Sequence, residues 1–392
     1  MTSTSPVSVP PAFVDQVSWL EGGQQRTALW RSDGGWPAPT TVVIADDAMT
    51  ADAAYRLVSA GTALLWRGDF SNARQLLSAL GRRIDKRNRP TRTDLATAFR
   101  TYRADAATRA RLLGLILVPL DADYTVPLRR APAVREACLE VFGPADNSAR
   151  GPSLIALREL LGVIGAHEWR REGVPVAALG ARIHPHYGVF SPVRGEYLDL
   201  VAQAPLPAAA TAPGGVAFDI GAGTGVLSAI LAQRGVTRVI GTDLDPRALA
   251  CATENITRLG LAEQVEVVRA DLFAPGVADL IVCNPPWIPA PATTSTDHAV
   301  YDPDSRMLRG FLAGLAEHLS PGGEGWLIIS DIAERLGLRS RGELLDLIED
   351  AGLTVVARLD TRPTHPKAVD TTDPLHAARA AEVTSLWRLA AA

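Results

Sequence analysis

From residue 216 onward, short apolar runs alternate with segments whose apolar residues recur at helical spacing, and few folds accommodate that order. The alternation predicts βαβ units, with parallel strands forming one sheet and helices covering both of its faces. The last two strands, separated by a polar insertion, close the sheet. The predicted strands are 216–220, 237–242, 265–269, 279–283, 325–330, 353–360 and 383–389, and the predicted helices are 226–234, 246–259 and 307–319.

The first half of the chain is less regular and predicts a mixed, helix-rich N-terminal domain. Strand-like runs at 41–45 and 63–67 alternate with helical patterns at 51–59 and 70–83. Helical spacing then continues to about 142, apart from a stretch around 115–119 that fits either helix or strand. The stretch 144–152 is rich in turn-forming residues, 154–164 is predicted as helix, and 168–190 as a hairpin. We expect a flexible tail over 1–15, an N-terminal domain over 16–150, a helix-and-hairpin linker over 151–190 and an α/β domain over 191–392.

Length and composition exclude several classes of protein. A chain of 392 residues is long enough for two domains. The longest apolar stretch, 112–120, is much shorter than the ~20 residues that cross a bilayer. The N-terminus lacks the features of a secretory signal, and the three cysteines form no CxxC pair. We therefore expect a cytoplasmic protein without a membrane partner or a bound metal.

Three alternate glycines stand where the first predicted strand of the α/β domain meets its helix, in the run Asp219-Ile220-Gly221-Ala222-Gly223-Thr224-Gly225. Glycines there let the backbone turn tightly and approach a ligand closely. The next strand ends at Asp243, about 20 residues later, a distance that suits a carboxylate bound to two ribose hydroxyls. Asp271 and Leu272 follow the third strand, where an acid could accept the amine of an adenine.

The fourth strand ends in Asn284-Pro285-Pro286-Trp287. A nitrogen conjugated to a planar system is a poor nucleophile because its lone pair is delocalised. The side-chain oxygen of Asn284 and the carbonyl of Pro285 can accept its two N–H groups, which orients the nitrogen and favours the charge that develops on it. Trp287 offers a flat face for stacking a base or an amide, and the prolines stiffen the backbone.

Over roughly residues 185–392, the sequence resembles class I S-adenosylmethionine-dependent methyltransferases, by DIGAGTG (219–225), TDLDP (242–246) and ADLF (270–273). NPPW (284–287) resembles the motif of amino-methylating members. The resemblance implies a Rossmann-like, seven-stranded, mostly parallel sheet and S-adenosyl-L-methionine as cofactor. It also implies that the glycines contact the methionine part, Asp243 the ribose and Asp271 the adenine.

The candidate residues fall into three groups. The cofactor-binding candidates are Asp219, Gly221, Gly223, Thr224, Gly225, Asp243, Asp271 and Leu272. The catalytic candidates are Asn284, Pro285, Pro286 and Trp287. The substrate-binding candidates are Tyr187, Phe190 and Trp287, because related amino-methylating enzymes carry an aromatic-and-proline segment before this domain. No metal ligand is expected.

Three acceptor hypotheses remain open. Residues 67–111 carry twelve Lys/Arg and four Asp/Glu in a chain of net charge −4, a basic segment that fits an RNA footprint. Trp66, Phe70, Phe99 and Tyr102 lie near it and could stack on bases. The first hypothesis is methylation of an exocyclic amine of a base in RNA, with ribosomal RNA as the expected substrate. The alternatives are the glutamine amide of a translation release factor, and a non-catalytic cofactor-binding module.

Overall fold

The computed structural model describes residues 15–86, 94–144, 151–191, 195–292, 299–363, 370–371 and 373–392. They form two compact units: Met1–Arg89 with Asp105–Gly165, and Pro90–Ala104 with Ala166–Ala392. The expected flexible tail lies outside the described residues, except for Asp15. The expected linker, 151–190, is divided between the two units.

The first unit is built on a six-stranded sheet with the order β1-β2-β6-β5-β4-β3. Strands β3, β4 and β5 are parallel neighbours, whereas β6 is antiparallel to β5 and parallel to β2. The strands are β1 (Gln16–Glu21), β2 (Gln24–Arg31), β3 (Val42–Ala45), β4 (Ala63–Trp66), β5 (Ile116–Leu120) and β6 (Ser153–Ala156). The helices that begin here are α1 (Ala51–Ser59), α2 (Phe70–Asp85), α4 (Arg135–Phe142) and α5 (Leu157–Glu172), and α3 (Leu95–Leu113) ends here.

Two expectations about this region are wrong. The predicted helix at 154–164 begins only at Leu157, because Ser153–Ala156 is a buried strand paired on both edges. Trp66 and Phe70 are buried in the core of the unit and cannot stack on a bound base. Burying apolar side chains of a strand and of the inner face of a helix stabilises the fold. The two aromatic side chains are therefore core residues, although arginines lie close to them in the sequence.

The second unit contains a seven-stranded mixed sheet with the order β11-β10-β9-β12-β13-β15-β14. The strands from β11 to β13 are parallel neighbours, and β15 runs antiparallel to β13 and β14. The strands are β9 (Val216–Ile220), β10 (Arg238–Asp243), β11 (Val265–Arg269), β12 (Ala278–Cys283), β13 (Leu319–Ser330), β14 (Leu353–Thr361) and β15 (Thr384–Ala391). A separate hairpin of β7 (Val174–Val176) and β8 (Ala181–Ile183) confirms the hairpin expected within 168–190.

The helices of this unit pack on the sheet through apolar faces, which form buried clusters on its two sides. They are α6 (Glu196–Gln203), α7 (Ala208–Thr211), α8 (Val226–Gln233), α9 (Pro246–Arg258), α10 (Arg306–His318), α11 (Ile332–Arg335), α12 (Arg341–Asp350) and α13 (His376–Ala380). Among the described residues, no helix combines the length and the apolar character that crossing a membrane requires. Because β9, β10, β11 and β12 are parallel, their carboxyl ends meet at one edge of the sheet, where ligands of such sheets bind.

Candidate functional site

A cavity of about 430 Å³ lies at the carboxyl ends of these four strands, entirely within the second unit. That volume is within the range of small-molecule sites. Most residues singled out in the sequence line it. They are Phe190, Gly221, Gly223, Thr224, Asp243, Asp271, Leu272, Asn284, Pro285, Pro286 and Trp287.

Residues 221–225, which we call the glycine loop, connect β9 to α8 along one wall of the cavity. The amides of Gly221 and Ala222 both donate to the Thr242 carbonyl, at 2.9 and 2.8 Å, which ties the loop to the end of β10. Gly221 and Gly223 have φ of +76° and +54°, in the left-handed region that disfavours side chains. A methyl group on Gly223 would have only the Gly221 carbonyl within 4 Å, at 3.9 Å, so open space for a ligand adjoins the loop.

Asp243 is fixed by the loop it faces. Its Oδ2 accepts from the Gly223 amide at 3.0 Å, and its Oδ1 accepts from the Asp245 amide at 3.0 Å. The side chain of Asp245 in turn caps α9 by accepting from the Arg247 amide. The carboxylate of Asp243 is therefore oriented beside the glycines before any ligand binds.

The loop after β11 carries the second acid. The Asp271 carboxylate pairs with the Arg306 guanidinium at 2.9 Å. Leu272 has a φ of +71°, unusual for a residue with a side chain, and its carbonyl accepts a hydrogen bond from the Thr242 hydroxyl. Strand β10 thus holds this loop as well as the glycine loop.

Three sequence candidates do not line the cavity. Asp219 is fully buried behind the glycine loop, where its Oδ2 accepts from the amide and the hydroxyl of Ser228 at 2.9 and 2.6 Å. Burial raises the pKa of Asp219 to about 6. Gly225 packs against Ala252 where α8 begins. The Tyr187 ring lies 5.8 Å from the Arg247 guanidinium rather than on the wall.

The Asn284 side chain is held from two sides. Its Oδ1 accepts from the Trp287 indole N–H at 2.9 Å. The Tyr197 phenol on α6 lies beside the same side chain, and its ring meets Trp287 edge-on at 6.4 Å. Burial raises the pKa of Tyr197 further above its already high ordinary value, so the phenol stays protonated. The carboxamide faces the cavity in a fixed orientation.

Both Tyr197 and Phe99 line the cavity; the sequence did not indicate Tyr197, and it indicated Phe99 only as one of four aromatic residues that could stack on bases. Tyr197 follows the polar 192–196 segment and has no motif around it. Phe99 is distant in sequence and lies on the part of α3 that belongs to the second unit. In the sequence, its spacing of three and four residues to Tyr102 and Arg103 places these residues on one face of a helix. Among the described residues, no cluster of three potential metal ligands is present.

Residues 180–339 match the family model of the methyltransferase small domain. A release factor glutamine methyltransferase from Cereibacter sphaeroides is 37% identical over 171 residues, which cover 39% of this chain and 58% of that protein. The match thus spans less than two thirds of that relative's length.

Two RNA-modifying relatives are similar in the same region. A tRNA1(Val) (adenine(37)-N6)-methyltransferase from Shewanella loihica is 29% identical over 188 residues, 45% of this chain and 72% of that protein. A ribosomal RNA small subunit methyltransferase C from Alcanivorax borkumensis is 35% identical over 116 residues, 29% of this chain and 32% of that protein. Residues 180–339 are therefore similar to the methyltransferase small domain, and the relatives that match this region are methyltransferases.

Proposed function

We propose that the protein transfers a methyl group from S-adenosylmethionine to an exocyclic amine of a base in RNA, with ribosomal RNA as the expected substrate. The observation that carries the proposal is that Asn284 and the glycine loop line one cavity. A donor on the loop and an acceptor nitrogen at Asn284 would then be in reach of each other. The second unit would have the Rossmann-like class I fold and the first unit would recognise the substrate.

The residues present fit the cofactor. Open space adjoins Gly223, the Asp243 carboxylate is fixed next to it, and Asp271 and Leu272 line the same cavity. We assign Gly221 and Gly223 to the methionine part, Asp243 to the ribose hydroxyls and Asp271 to the adenine amine. When bound, the cofactor supplies an electrophilic methyl group on a positively charged sulfur.

The NPPW residues would act on the acceptor. The second lone pair of Asn284 Oδ1 remains available beside the Trp287 N–H, and it can accept one hydrogen of the amine. The Pro285 carbonyl can accept the other. Both acceptors favour the positive charge that develops on nitrogen, and the nitrogen's proton can leave to water after transfer. Asp219 and Gly225 would position the glycine loop from behind.

The charge distribution favours RNA as the acceptor. The side chains of Arg74 and Arg82 on α2 and of Lys86 at its C-cap are exposed at steps of eight and four residues, which places them on one face. Other arginines of the basic segment are paired: Arg67 with Glu21 at 2.8 Å, and Arg109 with Asp85 at 2.8 Å. A row of cations on a helix suits a phosphate backbone.

A release factor glutamine is the second candidate acceptor, favoured by the 37% identity to a release factor glutamine methyltransferase. The amide nitrogen of glutamine is also conjugated and presents two N–H groups, so Asn284 and Pro285 could hold it in the same way. The cytoplasmic location expected from the sequence stays a prediction, as does the absence of a metal.

The acceptor is tested by incubating the protein with tritiated S-adenosylmethionine and either total RNA or a release factor. We expect label in RNA that nuclease removes. Label in the release factor that survives nuclease would replace the RNA proposal by the glutamine alternative. The control is Asn284→Ala, which should bind the cofactor with unchanged Kd and transfer no methyl group. Cofactor binding without transfer to either acceptor would favour the non-catalytic module.

A further inference from the structure

One end of the cavity is apolar and lies apart from the loops assigned to the cofactor. Its wall consists of five buried side chains that belong to one hydrophobic cluster and also line the cavity. We call the end of the cavity that this wall encloses the apolar compartment. Its residues are Phe99, Ile288, Ile332, Leu336 and Leu375.

The sheet order separates this compartment from the cofactor loops. The loops with Gly223, Asp243 and Asp271 follow β9, β10 and β11, on one half of the sheet. Ile332 and Leu336 follow β13, and Leu375 precedes β15, on the other half. Asn284 follows β12, between the two halves. A group in the apolar compartment would therefore approach Asn284 from the side opposite to the donor.

Phe99 comes from outside the matched residues 180–339 and is held firmly. One helical turn later on α3, the Arg103 guanidinium donates to the Pro291 carbonyl at 2.8 Å. The same guanidinium lies 3.8 Å from the centre of the Tyr301 ring, and Tyr301 forms a backbone bridge with Ile288. These contacts attach α3 to the segment after NPPW, so the phenyl ring of Phe99 is a preorganised part of the wall.

Charged side chains accompany the apolar ones. Arg379 and Glu382 line the cavity as well. Arg379 pairs with Asp373 at 2.8 Å, and Glu382 Oε1 accepts from the Ser330 hydroxyl at 2.6 Å. Apolar and aromatic walls with a few fixed polar groups suit a flat ring that has apolar faces and a polar edge. A nucleobase has this character, whereas a glutamine side chain lacks a ring to cover.

We propose that the apolar compartment binds the methyl-accepting nucleobase and that Phe99 is a specificity-determining residue which contacts its ring. This proposal rests on the proposed function. It adds where the acceptor base binds, and it adds Phe99, which lies far before the matched residues 180–339, as a residue that contacts the base. The base would lie against Phe99 while its amine reaches Asn284.

The test measures steady-state methylation of RNA together with the Kd for S-adenosylmethionine. Phe99→Leu keeps an apolar side chain but removes the aromatic face, so the KM for RNA should rise about tenfold, as expected for a lost stacking contact. The cofactor Kd should change less than twofold. Phe99→Tyr keeps the face and should restore the KM to within about threefold of the wild type. Leu375→Ala, elsewhere in the compartment, should also raise the KM.

The matched control is Phe311→Leu, which removes a buried phenyl ring that does not line the cavity. It should leave the KM for RNA unchanged. An unchanged KM in both Phe99→Leu and Leu375→Ala, with active wild-type enzyme, would overturn the compartment and leave the proposed function intact. A wild type that methylates a release factor but no RNA would contradict both.

Discussion

At the scale of single residues, the Asn284 carboxamide is the group on which the proposed reaction depends. The Trp287 indole donates a hydrogen bond to its oxygen and the Tyr197 phenol lies beside it, so the carboxamide has one orientation at the cavity. The sequence predicted Asn284 and Trp287 from their order in a motif. It could not predict Tyr197, because a tyrosine on a short amphipathic helix is equally typical of a core position.

Tyr197→Phe removes the hydroxyl that lies beside Asn284 and keeps the ring in place. A polar contact contributes no more than a hydrogen bond does, about 0.5–1.5 kcal/mol, so kcat should fall by up to roughly tenfold. The Kd for S-adenosylmethionine should not change. Steady-state kinetics and calorimetric titration measure the two quantities. Tyr124→Phe, which loses a hydrogen bond to the Gly143 carbonyl in the first unit, is the control; an equal loss of kcat there would refute a positioning role for Tyr197.

The buried carboxyl group of Asp219 leads to a second prediction at this scale, on how the free energy of unfolding depends on pH. Its pKa is raised to about 6 because the carboxyl is buried, whereas in the unfolded chain it is about 3.9. Such a group contributes most to stability below about pH 4, and the contribution is lost as pH rises through 6. Asp219→Asn can still accept from Ser228 and carries no charge. Relative to the wild type, its free energy of unfolding should therefore increase between pH 4 and 7, by on the order of 2 kcal/mol.

Urea unfolding at a series of pH values measures this difference. Asp346→Asn, on the exposed face of α12, provides the control and should show a constant difference from the wild type. If the curves for the wild type and Asp219→Asn remain parallel from pH 4 to 7, the carboxyl at position 219 is not buried as described.

At the scale of elements, the βα pattern of the second unit was predictable because its first four strands, β9 to β12, are short and mostly apolar runs. β9 has the predicted limits, β10 begins and ends one residue later than predicted, and β12 begins one residue earlier and ends as predicted. β13 begins at Leu319 instead of 325, because its early residues pair with the start of β12 although they include glycines and a proline. The helices α6 and α7 were not predicted, since their segment is short and rich in alanine and proline.

The glycine loop provides a matched pair of substitutions. Gly223→Ala places a methyl group in the open space of the cavity, so it should weaken S-adenosylmethionine binding at least tenfold. Gly225→Ala places a methyl group 3.2 Å from Ala252, at a φ of +77°. It should cost about 1–3 kcal/mol of folding free energy. Thermal unfolding and cofactor titration of both variants separate the effects, and a large loss of cofactor affinity for Gly225→Ala alone would reverse the assignment.

At the scale of the whole molecule, charge is unevenly distributed along a chain whose net charge is only −4. Some arginines of the basic segment predicted from the sequence form ion pairs within the protein. Arg74 and Arg82 on α2 and Lys86 at its C-cap form an exposed row. The sequence alone could not distinguish these two groups, because pairing depends on residues distant along the chain, such as Glu21. The sequence alone also could not show that α3 is divided between the two units, because that division depends on contacts with residues distant along the chain.

Reversing two charges of this row, in Arg74→Glu/Arg82→Glu, should weaken RNA binding without affecting cofactor binding. Each lost phosphate contact should lower the slope of log affinity against log salt concentration by about one. Filter binding at several salt concentrations measures the slope. Arg238→Glu, an exposed change on the second unit, is the control. A slope that is the same in the double variant and the wild type would exclude α2 from the RNA footprint.

The central claim is that donor and acceptor meet at Asn284, and a crystal structure with bound S-adenosylmethionine tests it most directly. We expect the ribose at Asp243, the methionine part along Gly221 and Gly223, and the sulfonium methyl group directed at the space next to Asn284 Oδ1. A cofactor bound elsewhere, or one whose methyl group points away from Asn284, would contradict it.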